Sequence, residues 1–287
     1  MTEMEMRPSS IAGQWYEGDP NTLAKSVDRY LDQAKLPNLD GVVIGVVAPH
    51  AGHMYSGPVA GYAFAAIRNK APELVVVVSP VHPPKWSMPA SYYEPVLTSA
   101  HPGYRTPLGD ILTDVGAVRE MNTGLSRELG KGLSSVSRDP EHSLEIELPF
   151  LQRALKPGWK LLPIMVHAVE PRIAQILGKV IATVVNGKNY ILVASTDLSH
   201  FYDQETAKKL DAEMLSQVEA FSPEGVFETE RTEKGFACGL SALASILWAG
   251  RELGADKVTV LQHATSGDVI GDYSSVVGYG AAAILKH

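Results

Sequence analysis

The chain has 287 residues, 45% hydrophobic and 20% charged, a balance that can bury a large core. A net charge of −7, with no dense run of Lys or Arg, leaves no electrostatic footprint for nucleic acid. No apolar run approaches the roughly 18 residues needed to span a bilayer, and the start "MTEMEMRPSS" is acidic and polar, unlike a secretory signal. With Cys238 the only cysteine, an intrachain disulfide is impossible. The expectation is a cytoplasmic protein with neither nucleic-acid nor membrane partners.

In chain order, the first element predicted is a helix over Asn21–Ala34, opened by Asp19 as cap and Pro20 in the first turn. A strand over Val42–Val47 and a helix over Val59–Asn69 follow, then a strand over Leu74–Val78. Pro83–Pro107, rich in proline, tyrosine and tryptophan, is expected to be a loop. Helices are predicted over Leu108–Glu120 and Ser143–Leu155, a strand over Leu161–Val166, a helix over Pro171–Val185 and a strand over Tyr190–Ala194. The C-terminal part reads as helices over Asp203–Ala220 and Leu240–Leu253, with strands over Val258–Leu261 and Ser274–Leu285. Most strand runs are continuously apolar rather than alternating, as expected where helices cover both faces. The alternation points to one domain, residues 1–287, with a three-layer α/β fold around a mostly parallel sheet with mixed edges.

Four predicted strands run into a histidine: His50, His82, His167 and His200. Parallel strands bring such residues to one sheet edge, where ligands bind in open α/β folds. Imidazole is the commonest protein metal ligand and titrates near neutrality. Asp197, three residues before His200, is positioned to accept a ring N–H and orient it. His142 and Glu145 flank Ser143 at the start of a predicted helix, which reads equally as a capping arrangement or as part of a site. Cys238 precedes another helix and reads equally as a small buried hydrophobe or as a thiolate ligand or nucleophile. There is no CxxC or HxxxH, so any metal site is assembled from distant segments.

The ordered stretches "AGQWY" (Ala12–Tyr16), "APHAG" (Ala48–Gly52), "SPVHP" (Ser79–Pro83), "EHSLEIELPFLQ" (Glu141–Gln152), "STDLSH" (Ser195–His200) and "ACG" (Ala237–Gly239) resemble the MEMO family, also called AmmeMemoRadiSam system protein B. That family is similar in fold to class III extradiol dioxygenases. The resemblance implies a metal held by His50, His82 and Cys238, Fe(II) first and copper as a competitor because thiolate is soft. It further implies His200 as acid-base group, His142 as its outer partner, and Asp197 and Trp15 as pocket residues, while His53 and His167 stay structural. AMMECR1-type and radical SAM proteins are the implied pathway partners. Three functions compete on this basis: a metal-dependent redox enzyme, a hydrolase with Cys238 as nucleophile, and a non-catalytic peptide-binding module.

Overall fold

The structure, a computed structural model, describes residues 5–82, 88–137, 139–167 and 170–287. Its strands are β1 (Val42–Ala48), β2 (Leu74–Pro80), β3 (Val96–Ser99), β4 (Gly103–Thr106), β5 (Gly109–Leu112), β6 (Ser134–Val136), β7 (Lys160–Val166), β8 (Tyr190–Ser195), β9 (His200–Tyr202), β10 (Lys257–Thr265) and β11 (Val276–Lys286). Its helices are α1 (Pro20–Gln33), α2 (His53–Ala65), α3 (Val115–Leu129), α4 (Leu148–Ala154), α5 (Pro171–Val185), α6 (Gln204–Glu219), α7 (Pro223–Arg231), α8 (Leu240–Glu252) and α9 (Gly267–Ile270).

The main sheet runs β10-β11-β1-β8-β2-β7-β3-β6, with β9 added beside β11 and a separate β4–β5 hairpin. Its centre is parallel, β1 with β8, β8 with β2 and β2 with β7. Antiparallel pairing enters at β11 on one side and β3 on the other, so the mixed-edge expectation holds. Alternate residues of each strand feed two separate cores. Val76, Ile164 and Leu192 pack with α3, α5 and α8 on one face. Val75, Val77, Leu161 and Val193 pack with α1, α2 and α4 on the other. The result is a three-layer sandwich, and the continuous apolar runs follow from burial on both faces.

The local chemistry explains both matches and departures. Asp19 accepts the Thr22 N–H and Pro20 opens α1, as the sequence suggests. The helix expected over Leu108–Glu120 is instead a hairpin strand followed by a helix. Thr106 and Gly109 close the turn, and Asp114 caps α3 through the Ala117 N–H. The second helix begins at His53, six residues before the expected start, and runs through Pro58. Ser143 caps nothing: its hydroxyl donates to the Pro80 carbonyl, a short 3-10 turn covers Glu145–Glu147, and α4 starts only at Leu148. Within Pro83–Pro107, the described part holds β3 and β4 rather than loop alone, and residues 83–87 lie outside the described residues.

Candidate metal and substrate site

Because β1, β2 and β8 are parallel, their carboxyl ends share one edge, and the site is built there. Pro49 ends β1, and the next residue, His50, is buried at 1% exposure. His82 follows β2 in the same way, and His142 arrives from the segment before the 3-10 turn. One donor atom from each of His50, His82 and His142 lies within 4.8 Å of the others. The rings confirm the convergence, with His82 stacked on His142 at 4.5 Å and His50 edge-on to both.

Cys238 enters from the start of α8. Its Sγ lies 3.1 Å from His50 Nε2, and the Asp197 N–H donates to it over 3.2 Å. Gly239 makes this approach sterically feasible. A Cβ there would meet the Ser195 carbonyl oxygen at 2.4 Å, and its N–H donates to Thr196 Oγ1.

Outer groups hold the imidazoles by their other nitrogens. His50 Nδ1 pairs with Ser195 Oγ at 2.9 Å, and Ser195 Oγ is also 2.7 Å from both the Ser143 carbonyl and Glu147 Oε1. His82 Nδ1 pairs with Glu141 Oε1 at 3.0 Å. The same buried carboxylate accepts the backbone N–H groups of His82, His142 and Ser143. Sequence reasoning missed Glu141 and Glu147, since a glutamate beside a histidine reads as an ordinary charged loop residue.

Electrostatics set the protonation states. Burial, reinforced by His82 and His142, holds His50 well below the ordinary imidazole value. Burial also lowers His142 to about 4 and depresses His200. Burial alone would lower His82, but Glu141 overrides it and raises that ring. Glu141 is itself lowered to about 2, because hydrogen bonding and charge from His82 overcome its desolvation. Burial, with Asp197 nearby, pushes the Cys238 thiol well up, and burial pushes Asp197 to about 7. Imidazoles beside a thiol are a donor set suited to a borderline-soft metal ion. His50 and His142 are held neutral, and His82, whose value is raised, would give up its proton on ligation, so the residues present fit such a group.

One expected contact is corrected. Asp197 does not orient His200: its Oδ1 accepts the backbone N–H groups of His50 and Ala51. His200 Nδ1 instead donates to the Leu198 carbonyl, two residues back, which leaves Nε2 as the acceptor. A carboxylate three residues upstream in this loop faces β1 rather than the histidine. His200 stands outside the three-histidine group and is close enough to depress His50 further. Trp15 tilts over His142 with ring centroids 4.2 Å apart. His167 Nε2 donates to the Tyr92 carbonyl, and His53 is packed between Tyr16 and Phe150, away from the cluster.

Comparison with known proteins agrees with the family resemblance. The family model described as Memo-like protein matches residues 7–283. A MEMO1 family protein of Nitrosopumilus maritimus is 34% identical, over 98% of this chain and all of that protein. Another, from Methanopyrus kandleri, is 34% identical over 99% of this chain and all of its own length. A third, from Methanosarcina mazei, is 31% identical over 98% and 100%. The chain therefore belongs to the Memo-like family.

Proposed function

We propose that the chain works as one domain and is a metal-dependent redox enzyme acting on a small substrate with oxygen donors. His50, His82 and Cys238 hold the ion, Fe(II) in the first instance and copper as the alternative. The observation that carries this reading is the convergence of three imidazoles, with His50 buried and held neutral and a thiol 3.1 Å from its Nε2. A bound redox-active ion would supply electron transfer and open positions for a chelating substrate. Cys238 gives up its proton on ligation, because the thiolate is the donor form. His200 accepts the substrate hydroxyl proton at Nε2, since Nδ1 is committed to the Leu198 carbonyl and burial keeps the ring neutral. His142, held beside His82 by Glu141, hydrogen-bonds a substrate oxygen. Asp197 fixes the His50 backbone through its carboxylate and the Cys238 sulfur through its own backbone N–H. The upward shift of the thiol weighs against Cys238 as a free nucleophile.

The test is metal content after anaerobic reconstitution, with oxygen uptake recorded against a panel of vicinal oxygen donors. His50→Ala and Cys238→Ser are expected to lose most bound metal, whereas His142→Ala and His200→Ala retain it. His200→Ala should lower turnover by about 10²–10⁴-fold. Retention of metal by Cys238→Ser with loss in His142→Ala would transfer the third ligand position to His142. No uptake with any donor by metal-loaded wild type would refute the enzymatic reading.

A further inference from the structure

Beside the histidine group lies a cavity of about 410 Å³ whose walls include Trp15, Tyr55, Phe201, Ile270, Val277 and Tyr279. Its volume is at the small end for ligand sites, enough for a ring or a short alkyl chain. It adjoins the site: Trp15 tilts over His142 and also lines the cavity, and Ala51 and Gly52, directly after His50, form part of the wall. No Lys, Arg, Asp or Glu is among the described residues that line it.

Phe201 is the unusual member. It is 76% exposed and sits at φ +66°, a left-handed conformation that non-glycine residues rarely adopt. Its neighbours are clamped by pairing of β9 with β11, His200 opposite Val277 and Tyr202 opposite Val276. The clamp therefore holds an apolar ring out in water next to His200, with ring centroids 5.6 Å apart. Ile270, 53% exposed, is a further apolar member of the lining. Strain and exposure kept together at a cavity mouth mark a surface prepared for a ligand.

We propose that this cavity is the subsite for an uncharged apolar tail of the substrate, whose oxygen-donor head reaches the histidine group. The inference rests on the metal reading above and adds the substrate class. The substrate is a neutral chelating compound carrying an aryl or alkyl substituent, not one whose tail ends in a carboxylate or phosphate. A charged end would lie among mostly apolar walls and find no lining cation to pair with.

The probes are hydroxamates, titrated into Co(II)-loaded protein and followed by the visible spectrum of the ion. Acetohydroxamate tests the head alone, hexanohydroxamate adds an alkyl tail, and adipic monohydroxamate ends a chain of the same length in a carboxylate. Burial is worth up to about fourfold in affinity per methylene. The expected result is therefore hexanohydroxamate binding at least about tenfold tighter than acetohydroxamate, with adipic monohydroxamate showing no gain. Ile270→Asp should abolish the gain while cobalt content and acetohydroxamate affinity stay unchanged. Equal affinity of the acetyl and hexanoyl compounds would overturn the subsite and leave the metal reading standing. A gain for the carboxylate-ended chain equal to that of hexanohydroxamate would overturn the charge exclusion. Failure to bind cobalt or acetohydroxamate would remove the metal reading and this inference with it.

Discussion

Glu141→Gln tests the arrangement at its most loaded point. One carboxylate accepts four N–H groups, those of the His82 ring and of the backbone at His82, His142 and Ser143. Its value of about 2, against 4.5 for an ordinary glutamate, corresponds to roughly 3 kcal/mol of preference for the charged folded form. A carboxylate whose folded value is depressed stabilises the fold above its unfolded value, and the benefit is lost as pH falls toward about 2. At pH 3 the contribution is already reduced to less than half. Urea unfolding of metal-free wild type and Glu141→Gln should therefore diverge by about 3 kcal/mol at pH 7 and converge at low pH. Competition with a chromophoric chelator should show metal binding weakened by about 10–100-fold, since His82 loses the partner that fixes its tautomer. A stability difference that stays constant from pH 7 to pH 3, or metal affinity unchanged in a folded variant, would refute the role given to Glu141.

Two further substitutions probe buried charge. Glu147 is buried and its value is raised well above the ordinary range by desolvation, so the folded chain binds a proton that the unfolded chain has released. Stability must then fall as pH rises above the normal glutamate value, by up to about 1.4 kcal/mol per pH unit. Glu147→Gln should flatten that slope between pH 5 and 8 in urea titrations, and parallel profiles for the two proteins would contradict it. Arg7, 2% exposed, pairs with Asp139 and Glu145 and donates to the Glu141 carbonyl. Arg7→Met leaves those carboxylates uncompensated and should cost about 3–5 kcal/mol, read as a lowered urea midpoint, and a loss below about 1 kcal/mol would show that water or another group replaces it.

Much of the site was legible because its histidines follow runs that can only be buried strands. Val42–Val47 and Leu74–Val78 are apolar at every position except Gly45, so their ends had to fall at a sheet edge, and His50 and His82 with them. The convergence of His142 was less visible, since its segment is a loop whose path is set by Glu141 and by the Ser143–Pro80 contact. Asp197 misled because sequence spacing says nothing about which way a loop carboxylate turns. Here the free N–H groups of His50 and Ala51 claim it. The left-handed backbone at Phe201 leaves no mark in composition, because it is imposed by pairing with β11, about 75 residues downstream. Short strands such as β4 and β5 were hidden by Pro102, Gly103 and Pro107, which read as breakers yet bracket a hairpin.

The strand order has a consequence for assembly on the ribosome. His50 and His82 are both synthesised within the first 82 residues, yet β1 and β2 are not neighbours. The strand that runs between them, β8, is completed only at Ser195. A nascent chain shorter than this carries both imidazoles but lacks the spacer that sets their distance, and Cys238 is still to come. An ion held by these residues would therefore need β8 in place between β1 and β2 before it could bind.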